Sequence, residues 1–341
     1  MIKNIYSKKL INNLNHFLIF FLFLVITGSI FIGIYVVYFT NIGKDVTWHS
    51  DVLLNFLLLN ILGISNIHFN LGISFIIFWF IYLVIFLNYI FDPIFIFKGF
   101  LYNPVSKNNF KYFDFSSDSF SSNYIYIIIQ WFSAYFLLSI IIDLVQQSFG
   151  IQIGNPLVSN PLLSFFYLTG APLNEEILFR VIFLGIPLSL IIFKYKSSFI
   201  SALIHPGKNI SIKSGRDRNL LFLVILLNSV FFGLAHVIFG GNYEIGKITQ
   251  ASLGGMFLGW LYYRYGLGTS IIFHWISNYV IFSYGLLGSI IFNTSWNEDS
   301  SNYFLIFIYV FFIIAGIIFI CQKTKELLKY FLKIKNGFRK L

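Results

Sequence analysis

A chain of 341 residues that is 57% hydrophobic, 21% aromatic and only 11% charged is excluded from the ordinary soluble class, in which about a quarter of residues are charged. Its mean hydropathy of +0.80 identifies a polytopic membrane protein. The net charge of +10 does not point to nucleic acid, because the basic residues sit in the N-terminal arm, the connections between apolar runs and the C-terminal tail, where membrane topology puts them.

A membrane-spanning helix needs about 20 apolar residues. In chain order the candidates are 17–40, 71–91, 124–145, 162–193, 221–239, 248–263, 269–292 and 303–321. The first follows Lys3, Lys8 and Lys9 like a signal peptide. Its apolar run exceeds the usual length of about 7–15 residues and lacks a small-residue cleavage site, so it is expected to stay as a span. The stretch 52–63 is too short to cross and is expected to be re-entrant or interfacial. The expected fold is all-α, a polytopic membrane bundle of about eight helices. An N-terminal two-span unit with a polar linker (1–123) precedes a six-span core (124–321) and a basic amphipathic tail (322–341). The single cysteine, Cys321, leaves no intramolecular disulfide.

Charge placement sets the expected orientation. The connection 194–220 carries Lys194, Lys196, Lys208, Lys213, Arg216 and Arg218 against Asp217 alone, and the connection 146–161 carries no charge. Both termini are therefore expected in the cytoplasm. Lys44 and Lys247 are exceptions near outer ends. The tail spaces Leu327, Leu328, Phe331 and Leu332 as a helix that would lie on an anionic leaflet. Lys-, Asn-, Ile- and Phe-rich usage fits a prokaryotic plasma membrane.

Three polar clusters interrupt the apolar spans. An ionisable residue at the bilayer centre costs about 2.5–3.5 kcal/mol on insertion scales, and the span 162–193 holds Glu175, Glu176 and Arg180. Glu176 and Arg180 stand at i,i+4, glutamate first, and can pair. Glu175 points elsewhere and is left without a local partner, as a general base would be. Pro172 is expected to put the site near a helix start or break. Phe232 and His236 share a face of a later span, as do His274 and Asn278. An imidazole and an amide on one face could hold a developing oxyanion. Asn228 reads as an interhelical hydrogen bonder, Gly255 and Gly259 as a close-packing pair, and His205 and Pro206 as solvated loop residues. Counted from the inner ends of their spans, His236 and His274 differ in depth by roughly 15 Å, which would prevent joint action.

Glu175-Glu176-x-x-x-Arg180, Phe232-x-x-x-His236 and His274-x-x-x-Asn278, in this order on separate spans, resemble the CPBP family of CaaX-protease and bacteriocin-processing membrane proteins. The resemblance covers about residues 160–290, and Ala171-Pro172 is similar to the family's approach to the glutamates. It implies an intramembrane endopeptidase in which Glu175 with His236 activates a water, while His274 and Asn278 stabilise the oxyanion. Glu176 and Arg180 would fix the electrostatics, and Phe232 would pack beside the water or substrate. No cofactor is implied. The alternative is zinc on Glu175, His236 and His274, although no His-Glu-x-x-His occurs. The expected partner is a membrane-embedded or lipidated peptide, cleaved near the cytoplasmic side, and not nucleic acid. The rival class is a non-proteolytic protein that keeps the motifs, either a bacteriocin-immunity or scaffold protein or a proton-coupled transporter.

Overall fold

The computed structural model describes residues 2–54, 67–90, 124–154, 160–192, 198–210, 212, 214–240, 243–294 and 302–338. The linker 92–123 and most of 52–63 lie outside them. The helices are α1 (Ile2–Phe39), α2 (Lys44–Thr47), α3 (Leu71–Ile90), α4 (Tyr124–Ser148) and α5 (Pro161–Glu176). Two π-helical segments follow, π1 (Ile177–Gly185) and π2 (Pro187–Ile192), then α6 (Phe199–Ile204), α7 (Pro206–Asn209), α8 (Gly215–Phe239) and α9 (Gly246–Tyr265). The chain closes with α10 (Leu267–Trp275), π3 (Ile276–Val280), α11 (Ile281–Phe292) and α12 (Tyr303–Phe338).

An antiparallel ribbon of β1 (Asp51–Leu54) and β2 (Ile67–Asn70) departs from the all-α expectation. It frames the short apolar stretch between α1 and α3, so the flanks of that stretch are extended. The Asn70 side chain then accepts from the Gly72 N–H at 2.9 Å and starts α3.

Among the described residues, five helical stretches are long and apolar enough to cross a bilayer: Ile11–Phe39, Tyr124–Ser148, Gly215–Phe239, Leu267–Phe292 and Tyr303–Lys329. The protein is a polytopic, mostly helical membrane protein. The three other expected spans are helical too. Of these, Leu71–Leu87 is a shorter apolar helix, 161–192 carries Glu175, Glu176 and Arg180, and α9 mixes Lys247, Gln250 and Arg264 with four glycines.

One apolar core runs from Leu18 and Ile26 of α1 through Phe75 of α3, Phe132 of α4 and Phe165 of α5 to Tyr279 of π3 and Phe312 of α12. Lipid is as apolar as leucine, so helix association rests on close packing and hydrogen bonds. The α8–α9 pair follows that rule. A Cβ on Gly255 would come within 2.9 Å of Ser229 Cα, and one on Gly259 within 3.0 Å of Ile225. A Cβ on Gly233 would strike Ser252 and the Ile248 carbonyl.

The 194–220 connection is not simply solvated. Pro206 is buried, the Tyr262 hydroxyl donates to the Leu203 carbonyl at 2.7 Å, and His205 packs against Gly266. The expectation for His205 and Pro206 fails because α6 and α7 tuck beneath the end of α9.

The two ends of the bundle differ. At one, Asn15 donates to the Tyr126 hydroxyl at 2.7 Å, Tyr124 meets Tyr265, and α7 packs on α9 beside Arg264. At the other, Gln146 donates to the Gly246 carbonyl at 3.1 Å, and the Gly246 N–H donates to Gln152.

Candidate active site

Helix α5 presents the glutamates. Asn160 caps it by accepting from the N–H groups of Leu162 and Leu163, and Pro161 occupies the first turn, where no donor is needed. Pro172 lies inside the helix, not at a break as expected. Lacking an N–H, it leaves the Leu168 carbonyl without its helical donor. The Asn278 amide, from π3, points its Nδ2 at that carbonyl at 3.5 Å. The missing backbone bond thus gives Asn278 an anchor. Immediately after Glu176 the backbone widens into π1, and π3 holds Ser277 and Asn278. Such wider turns recur at functional sites.

Glu176 joins two helices. Its Oε2 accepts from Arg180 Nε at 3.1 Å, and its Oε1 accepts from His274 Nδ1 at 2.9 Å. Glu176 and Arg180 are fully buried. Arg180 Nη1 donates to Asn228 Oδ1 at 2.6 Å, and Asn228 Nδ2 donates to the Phe179 carbonyl at 3.0 Å. The guanidinium also lies 4.9 Å from the centre of the Phe232 ring. The pairing expected from i,i+4 spacing is present. The bond to His274, 98 residues away, carries no sequence signal.

Glu175 faces the cavity and is 29% exposed. Its Oε2 lies 3.7 Å from His236 Nε2 and 3.8 Å from His274 Nε2, and it has no hydrogen-bond partner. The partners fix the imidazole tautomers. His236 Nδ1 faces the Phe232 carbonyl at 2.8 Å, which can only accept, so Nδ1 carries the proton. His274 Nδ1 likewise donates to Glu176. With both rings neutral, each Nε2 bears a lone pair. Three acceptors therefore border one gap, with neither imidazole close enough to the carboxylate for a direct hydrogen bond. A water fits such a gap because it can donate to two of them.

The histidines thus reach one carboxylate, and the depth difference inferred from the sequence is corrected. Helix α8 ends at Phe239, within a turn of His236, whereas the helix bearing His274 continues to Phe292. The helices are staggered, so counting from their ends does not measure depth.

The gap opens into a cavity of about 480 Å³, within the range of small-ligand sites. Glu175, Phe232, His236, His274 and Asn278 all line it. Phe232 stands edge-on to His236 at 4.6 Å and to His274 at 6.0 Å, between centroids. Ser277 Oγ lies 2.7 Å from the His274 carbonyl and 3.1 Å from Asn278 Oδ1, and with one N–H of Asn278 Nδ2 directed at Leu168 the amide has a second N–H to give. Tyr167 and Phe239 line the cavity while 54% and 80% exposed, and so mark its mouth. Sequence reasoning missed Tyr243 and Lys247, which also line it. The one signal was that Lys247 breaks the charge pattern.

Residues 157–280 match the family model described as type II CAAX prenyl endopeptidase, Rce1-like. No curated protein and no solved structure gives a significant match. The matched segment runs from the cap of α5 to the end of π3 and contains all seven motif residues. By this match, the segment 157–280 belongs to the Rce1-like family of CAAX-type endopeptidases.

Proposed function

We propose that the protein hydrolyses a peptide bond of a membrane-associated substrate with a water held between Glu175, His236 and His274. The observation that carries this is the convergence of three acceptors on one gap at the base of a peptide-sized cavity. Glu175 takes a proton as the water oxygen attacks the carbonyl carbon. Asn278 Nδ2 donates to the oxyanion, and so does His274 Nε2–H where that ring enters the reaction already protonated, in which state it donates to the water while Glu175 and His236 accept from it. Glu176 supplies the fixed counter-charge to that imidazolium. The C–N bond then breaks as the oxyanion collapses, and Glu175 returns the proton it took to the leaving amine.

Zinc on Glu175, His236 and His274 is the second reading, favoured by the same convergence. Among the described residues no three such side chains come close enough to ligate one ion, so water is preferred. The test is cleavage of an apolar reporter peptide by the purified protein in liposomes. Asn278→Ala is expected to lower kcat by about 10²–10³-fold, and a strong chelator to leave the rate unchanged. Chelator inhibition reversed by zinc would replace water with metal. Proton-dependent flux that survives Asn278→Ala would favour the transporter, and an inert protein the scaffold.

For orientation we infer eight crossings, with both termini in the cytoplasm of a prokaryotic plasma membrane. The sequence puts basic residues in the N-terminal arm, the 194–220 connection, Arg264 and the tail, as it does in cytoplasmic segments. Of the residues that line the cavity, Ser164, Gly240, Tyr243 and Lys247 lie near the end of the bundle opposite Arg264. Substrate would then enter from the outer leaflet, which departs from the cytoplasmic-side cleavage expected from the sequence. In a Cys321→Ser background, a cysteine at the exposed Phe239 should react with a membrane-impermeant maleimide on intact cells. Labelling only after lysis would reverse the orientation.

A further inference from the structure

We propose that Lys247 is a carboxylate anchor that selects the substrate, an inference that rests on the peptide-binding reading of the cavity. Lys247 opens α9, at the rim where the Gly246 N–H donates to the Gln152 carbonyl at 2.9 Å and the Glu244 N–H to the Ile153 carbonyl at 2.8 Å. Among the described residues that line the cavity it is the only lysine or arginine. Its Nζ donates to Gln250 Oε1 at 2.9 Å and lies 4.6 Å from the centre of the Tyr243 ring. An ammonium has three donors, and Gln250 takes one. Among the described residues no carboxylate comes within ion-pair distance of it. Asp143 and Glu175 influence it only at longer range.

An amine with spare donors in an apolar, aromatic cavity is costly unless an anion completes it. A simple interfacial lysine would extend its ammonium to water, whereas this one is turned onto Tyr243 over the cavity. The order of groups fixes where the anion sits. Lys247 lies over Tyr243, Tyr243 is 5.8 Å from His236 between centroids, and His236 is 3.7 Å from Glu175. Two rings thus stand between the ammonium and Glu175, and among the described residues no ion pair joins the two. At about 3.3–3.6 Å per extended residue, the carboxylate lies only a few residues from the scissile bond. It is either the peptide's C-terminal α-carboxylate or an acidic side chain at that spacing.

The test is binding, so that it stands apart from hydrolysis. A fluorescent apolar pentapeptide is titrated onto the Glu175→Gln protein in detergent as its free acid, as its C-terminal amide, and as an amide bearing one glutamate. The free acid or the glutamate peptide should bind about tenfold or more tightly than the plain amide. The stronger of the two identifies the source of the carboxylate. That preference should vanish in Glu175→Gln/Lys247→Met and return in Glu175→Gln/Lys247→Arg. Equal binding of all three peptides, absence of binding, or equal weakening of all three by Lys247→Met would overturn the anchor. A Lys247-dependent preference in a protein that cleaves nothing would leave the anchor standing and remove the peptidase.

Discussion

Glu175→Gln is expected to lower kcat by about 10²–10⁴-fold, the usual contribution of a positioned general base, with little change in KM or in thermal stability. The fold should persist because Glu175 makes no hydrogen bond through its buried Oε2 and forms no close pair. An amide of the same shape removes the proton acceptor while leaving the cavity wall in place. Loss of kcat alone is the mark of an interaction made in the transition state. A variant that retained full activity would remove Glu175 from the mechanism, and one that failed to fold would make it structural.

The opposite balance is expected at Glu176. Glu176→Leu alone strands the fully buried Arg180 and takes the acceptor from His274 Nδ1. Removing one partner of a buried pair costs about 3–5 kcal/mol, so unfolding should shift to markedly lower temperature. The double variant Glu176→Leu/Arg180→Met removes both charges and should recover most of that stability, measured as the unfolding midpoint in detergent. Activity should stay lost, because His274 then has nothing to fix its tautomer or balance its charge. Recovery of both stability and activity in the double variant would reduce the pair to a packing device.

Much of this site could be read from the sequence, for reasons that are local. Helical spacing of four pairs Glu176 with Arg180 and puts Phe232 with His236 and His274 with Asn278. The insertion cost of each polar residue marks it as one with a task. The helices themselves follow from apolar run length, except where the runs are short or polar-bearing, as in α3, α5 and α9. What could not be read depends on how helices meet. The stagger that brings His236 level with His274 follows from the packing of α5, α8 and α10, not from distance to a helix end. The Glu176–His274 bond joins residues 98 apart in sequence. The role of Pro172 required knowing that Asn278 lies beside the carbonyl it frees. Lys247 read as a stray charge because its ring partner, Tyr243, stood out in no motif.

The central claim is that a water, not a carboxylate oxygen, attacks the peptide carbonyl. It is tested most directly by a single-turnover cleavage in ¹⁸O-water, with the protein in excess over peptide and the product read by mass spectrometry. Activation of water by Glu175 predicts one ¹⁸O in the new C-terminal carboxylate on the first turnover and none in Glu175. A first-turnover product with only ¹⁶O, with label appearing in Glu175, would contradict it and make that carboxylate a nucleophile.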